Sequence, residues 1–155
     1  MSKNRASLHC AVYLIVEKDG KILLQGRQNT GFYDGYYGLP SGHWEYGESV
    51  SDAMIREAKE ETNLDILKED LELKFVCNSS QGADRNYVGF YFKVKNYSGE
   101  LNVNEPDKCT DLTFYEYDNL PDNIIPYIDK VLKMIKNGEN YLEEVVISPE
   151  RQKEL

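Results

Sequence analysis

The residues from Ser49 to Asn63 carry start and stop signals for one short helix, and they constrain the fold more than any other stretch. Ser49 is placed to cap it, and Asp52, three residues on, completes a Ser-x-x-Asp capping box. Asn63 stands where helices often end in a left-handed residue, a conformation that asparagine tolerates better than most. The helix is therefore predicted from about Val50 to Thr62. At about 100° per residue, Glu57 and Glu61 point with Val50 and Met54, whereas Asp52, Arg56 and Lys59 lie on the other side. A solvated face of mixed charges explains most charge runs, but it does not explain two acids on the inward stripe.

Glu57, Glu60 and Glu61 are related as i, i+3 and i+4, a spacing that brings their carboxylates within reach of one another. Three like charges held close raise one another's pKa unless a cation sits among them. A hard divalent ion, Mg²⁺ or Mn²⁺, suits carboxylate oxygens together with water and phosphate oxygens. Arg56, pointing away from the cluster, is expected to reach back to Glu48 and lock the preceding loop onto the helix. Gly42 and Gly47 would permit turns or close approach that a side chain obstructs.

Around this helix the chain reads as an α/β protein. Leu8 to Glu17 and Lys21 to Gln25, joined by Lys18-Asp19-Gly20, are expected to form a β-hairpin. Residues 26–41, with Gly26, Gly31, Gly35, Gly38 and Pro40, form a loop long enough to belong to a site. Its aromatics Phe32, Tyr33, Tyr36 and Tyr37 either stack on a base or pack the loop down. Leu71 to Cys77, Tyr87 to Val94 and Leu112 to Tyr117 read as strands. Ile124, Ile128, Val131, Leu132 and Ile135 fall at helical spacing and predict a second helix packed on the sheet. From Gly138 onward the chain reads as a tail with one apolar patch, Tyr141 to Ile147, and a charged end.

At 155 residues a single domain over residues 1–155 is expected, with residues 138–155 as its tail. The chain is 41% hydrophobic and 29% charged, and no apolar run approaches the roughly 18 residues of a membrane helix, so no membrane partner is expected. Met1 to Ser7 has no apolar signal core. Cys10, Cys77 and Cys109, odd in number and far apart, suit reduced thiols, and a cytoplasmic location follows as an expectation. A catalytic cysteine would have only His9 or His43 as its histidine partner. A net charge of −9 argues against a groove for a nucleic-acid duplex. The many aromatics leave room for a homodimer.

Gly42, five residues, Glu48, seven residues, then Arg56-Glu57-Ala58-Lys59-Glu60-Glu61-Thr62-Asn63-Leu64 resembles the Nudix box, Gly-x5-Glu-x7-Arg-Glu-U-x-Glu-Glu-x-Gly-U with U aliphatic. Asn63 in place of glycine is the one departure at a fixed position. The resemblance implies an α/β/α sandwich with a mixed β-sheet between helices. By the same resemblance Glu57, Glu60 and Glu61 would ligate Mg²⁺ or Mn²⁺, a backbone carbonyl near Ser41 or Gly42 would join them, and Arg56 would pair with Glu48. Glu105 lies where many members supply a further carboxylate, as ligand or base. Arg27 resembles a substrate-contacting position, and Asn123 one that reads a purine base, with helix capping as its alternative.

The implied activity is hydrolysis of a nucleoside diphosphate linked to another group X, including an oxidised or ordinary nucleoside triphosphate, by water attacking phosphorus. Glu57 and the metals would serve that step, with Glu61 or Glu105 taking the proton. The competing readings are a silent nucleotide sensor of the same fold, which would be expected to lose one of the three acids, and a calcium-binding protein, which would need an oxygen-rich loop of the EF-hand kind. Neither pattern is present.

Overall fold

The computed structural model describes residues 6–80 and 86–145. In chain order its elements are β1 (His9–Ile15), β2 (Glu17–Lys18), β3 (Lys21–Arg27), β4 (Tyr37–Gly38), β5 (Ser41–His43), α1 (Val50–Thr62), β6 (Leu71–Ser80), β7 (Asn86–Val94), β8 (Cys109–Glu116), α2 (Pro126–Lys136) and β9 (Tyr141–Val145). One sheet is mixed and five-stranded, in the order β5-β1-β7-β6-β9, with β1–β7 and β6–β9 parallel. The other joins β2, β3 and β4, and β8 pairs with β3. Among the described residues no helix is long and apolar enough to cross a membrane.

The two helices lie over two cores, and strand alternation assigns side chains to one or the other. Under α1, Val12, Leu14 and Leu23 pack with Ala53, Met54, Ala58 and Phe92. Under α2, Ile15, Ile22 and Leu24 pack with Phe75, Tyr91, Ile128, Val131 and Leu132. Each fully buried aliphatic or methionine side chain stabilises the fold by about 1.5–3 kcal/mol. The inward stripe of α1 carries Met54 and Ala58, both at 0% exposure, with Glu57 and Glu61 interleaved along it.

The expected helix Val50–Thr62 is present with both of its end signals. Ser49 Oγ accepts from Asp52 N while Asp52 accepts from Ser49 N, and Asn63 closes the helix in the left-handed region at φ 65°. The expected hairpin is different. β1 does not pair with β3; it runs beside β5 and β7, and only the two-residue β2 turns back onto β3. Val16, buried between β1 and β2, marks the crossing from one sheet to the other, because both faces of this segment find a core.

The carboxy-terminal segment also departs from expectation. Tyr141–Val145, read as part of a tail, is β9, a parallel edge strand on β6, with Leu142 packed against the core under α2. Its alternation is short and its apolar residues few, so the partner strand supplies the order that local sequence does not. The rest of the apolar patch and the charged end lie outside the described residues. β8 starts at Cys109, three residues before the expected strand, and Ile124 precedes α2, whose N-cap is Ile125.

Candidate active site

Gly42 sits on β5 opposite Val12 of β1, directly under the acidic face of α1. A Cβ at this position would lie 1.9 Å from Glu57 Cδ and 2.1 Å from its Oε1. Glycine is thus required here for space rather than for backbone freedom: the Glu57 carboxylate occupies the place of a side chain. One residue earlier, the backbone N–H of Ser41 donates to Glu61 Oε2 at 2.7 Å. The loop therefore meets Glu61 through an amide hydrogen.

Arg56 ties the site together. Its Nη2 donates to Glu48 Oε1 at 2.8 Å and its Nε to Oε2 at 3.1 Å, the expected two-pronged pair, while Nη2 also reaches His43 O at 2.9 Å. The expectation that Arg56 points away from the acids is corrected, since Nη1 lies 2.8 Å from Glu57 Oε1 and 3.4 Å from Glu60 Oε2. Residue 56 is adjacent to 57 and i−4 to 60, and a long guanidinium fork can serve the loop and the helix at once. Glu48 in turn accepts from Glu45 N at 2.9 Å, and its carbonyl accepts from Trp44 Nε1 at 2.6 Å, which closes the loop.

The structure brings Glu57 and Glu61 into one partly buried space and leaves Glu60 at its rim, about half exposed. Helix phase accounts for this: about 100° per residue separates Glu60 from Glu61, with Glu57 between them. Among the described residues no set of three or more acidic, histidine or cysteine side chains is gathered into a finished cation cage. Burial, with the neighbouring Glu57 and Glu105 charges adding to it, pushes the Glu61 carboxyl up to about 8 against the pull of the Ser41 and Gln25 hydrogen bonds. Burial also raises Glu57, opposed by Arg56 and reinforced by Glu60 and Glu105. Glu105 adds its charge to both acids from the turn where its carbonyl accepts from Cys109 N at 2.9 Å.

The family that the sequence resembles implies a divalent metal, and the donors present fit such an ion. Glu61 is an oxygen donor whose burial, reinforced by the neighbouring acids, opposes its ionisation. Glu57 lies in a cradle that a Cβ would fill. Hard divalent cations take this donor chemistry.

The two residues expected on the substrate side are engaged with the glycine-rich loop. Arg27 Nε donates to Phe32 O at 2.9 Å and its Nη2 to Thr30 Oγ1 at 3.1 Å, with the guanidinium over the Phe32 ring. Asn123 Nδ2 donates to Gly35 O at 2.8 Å, and its carbonyl accepts from Tyr37 N. Asn123 does not cap α2. Phe32, Tyr33 and Tyr36 are exposed but touch one another, and Phe32 and Tyr33 reach Tyr127 of α2. Tyr37 is held by Asp111 at 3.0 Å.

The cysteines are free, and burial pushes Cys109 up to about 11, against the needs of a thiolate nucleophile. Gln25, a buried amide on β3 that acts on the Glu61 carboxyl, is not among the residues expected at the site. A lone polar residue at the end of an apolar strand was its only signal.

The NUDIX domain family model matches residues 7–135. The chain belongs to the Nudix hydrolase family. It is 36% identical over 143 residues to an ADP-ribose pyrophosphatase of Methanocaldococcus jannaschii, covering 90% of this chain and 81% of that protein. A MutT Nudix hydrolase from Burkholderia pseudomallei superposes with a TM-score of 0.74 at 26% identity, over 82% of this chain and 97% of the other. The fold is shared by a bifunctional NMN adenylyltransferase/ADP ribose pyrophosphatase from Francisella tularensis, solved with AMP and a manganese ion, at TM-score 0.70 and 18% identity, over 87% of this chain and 43% of that one. This chain is a Nudix pyrophosphohydrolase with the α/β fold of that family.

Proposed function

We propose that this Nudix enzyme is a Mg²⁺- or Mn²⁺-dependent hydrolase of a nucleoside diphosphate linked to another group, with ADP-ribose as the first substrate to test. The observation that carries the reading is the seat of Glu57 against the bare Cα of Gly42, beside the partly buried Glu61. The likeness to an ADP-ribose pyrophosphatase over most of both chains supports the choice of substrate.

A bound divalent ion would supply acidification of a water and neutralisation of diphosphate charge. Glu57, Glu61 and Glu60 would hold it, with Gly42 giving the room. Arg56 and Glu48 keep the loop against the helix, so the acids face the substrate without rearrangement. Glu61, or Glu105 whose charge is felt at Glu61, would accept the proton of the attacking water. Arg27 and Asn123, which fasten the loop that carries Phe32, Tyr33 and Tyr36, would make that loop a second wall of the site. The substrate's nucleoside part would meet that wall, where aromatic faces can stack on a base.

The test is a panel of ADP-ribose, nucleotide sugars, dinucleoside polyphosphates and nucleoside triphosphates, oxidised purines included, assayed with Mg²⁺ and with Mn²⁺. Glu57→Gln and Glu61→Gln are expected to fold and to lower turnover by about 10²–10⁴-fold. Full activity of Glu61→Gln under saturating Mg²⁺ overturns its assignment. No turnover of any compound, with nucleotide binding retained, would replace the enzyme reading by that of a sensor.

A further inference from the structure

β3 sends Leu23 into the core under α1, and Ile22 and Leu24 into the core under α2. Two residues beyond Leu23 the same face carries Gln25, where alternation would place another apolar side chain. Gln25 is only 5% exposed. Its side-chain amide stands near enough to the Glu61 carboxyl to favour that group's charged form, and Oε2 of the same carboxyl accepts from Ser41 N at 2.7 Å. Its Oε1 is buried and has no hydrogen-bond partner among the described residues. Buried side-chain polar atoms are nearly always paired, because an unmade bond loses hydration without return. Leucine would cover this face and leave no orphan acceptor, so the packing of β3 does not account for an amide here.

We propose that Gln25 is a positioning residue: together with the Ser41 amide it holds the Glu61 carboxylate from two sides, at the expense of one unsatisfied buried oxygen. The inference rests on the reading of Glu61 as a metal-holding carboxylate. It assigns Gln25 a role opposite in sign to that of a core residue, since removing its amide relieves the fold while loosening the site.

Gln25→Leu and the length-matched Gln25→Met test it through two readouts that do not depend on turnover. One is Mn²⁺ binding without substrate, followed by the electron paramagnetic signal of the free ion; the other is the melting temperature in EDTA. The expected result is a melting temperature equal to or above the parent's, with Mn²⁺ affinity lowered about tenfold or more, the usual effect of losing a group that orients a ligand. On any substrate the panel identifies, kcat falls and KM is unchanged.

Parental Mn²⁺ affinity in both variants overturns the proposal, as does a loss of affinity that only accompanies a lowered melting temperature in both. If the leucine variant does not fold, the methionine variant decides by the same criteria. A parent that binds no Mn²⁺ overturns both this inference and the metal reading. A parent that binds Mn²⁺ yet cleaves nothing overturns the enzyme reading alone, and the affinity comparison still decides for Gln25.

Discussion

At the scale of single residues, the site depends on an atom that is missing. The Glu57 carboxylate fills the space of a Gly42 side chain, so Gly42→Ala must drive Glu57 out of its seat. Activity is expected to fall at least about 100-fold with little change in melting temperature, because the displaced group is the end of a flexible side chain. Steady-state rates on the substrate identified by the panel check this, and parental rates would show that Glu57 works from elsewhere. A second residue carries a pH dependence unrelated to the site. Burial works against ionisation of Glu17, but hydrogen bonds from Lys93 Nζ at 2.6 Å and Tyr117 Oη at 2.5 Å outweigh it and hold the carboxyl below its usual range. A depressed carboxylate stabilises the fold above its unfolded pKa, and the contribution is lost as pH falls through the folded value. Glu17→Gln should therefore lower stability by about 0.5–1 kcal/mol at pH 7, a figure discounted for solvent screening, and the difference should shrink once the pH falls below about 4 and vanish beneath the folded value. Urea unfolding at the two pH values measures it.

At the scale of elements, α1 depends on its first turn. The reciprocal bonds of Ser49 and Asp52 satisfy amide hydrogens that the helix itself cannot. Ser49→Ala is expected to cost about 1 kcal/mol and to lower the melting temperature by about 2–4 °C. A calorimetric scan checks this, and an unchanged melting temperature would show that packing of Met54 and Ala58 alone holds the turn. These end signals and the phase of Glu57 and Glu61 were legible because they are local: a capping box and a helical step need no knowledge of the rest of the chain. The fork of Arg56 onto Glu57 and Glu60 was not legible, since a side chain that can reach in two directions is settled by what surrounds it.

At the scale of the whole molecule, β9 is part of the domain rather than a tail. Leu142 packs on the core under α2, so Leu142→Ala should destabilise by about 1–2 kcal/mol, less than a fully buried leucine would. Chemical denaturation measures this, and no change would mean that the strand is only loosely attached. Activity should be unaffected, because the acids lie on the core under α1 at the other end of the five-stranded sheet. The crossing of β1 and β2 between two sheets belongs to the same scale. A run such as Leu8 to Glu17 shows strand character but not its neighbours, and the hairpin expected from Lys18-Asp19-Gly20 is realised only by the two residues of β2.

By itself the sequence determined the acidic helix, its two ends, its inward acids and the family, all of which follow from spacing along one element. Tertiary structure decided the rest. It set Glu57 on Gly42, raised Glu61 by burial beside Glu105, and brought Gln25 from a distant strand to its carboxyl. The physical reason is range: helical phase repeats within a few residues, whereas burial, like-charge repulsion and an orphaned amide arise only when segments far apart in the chain share one space.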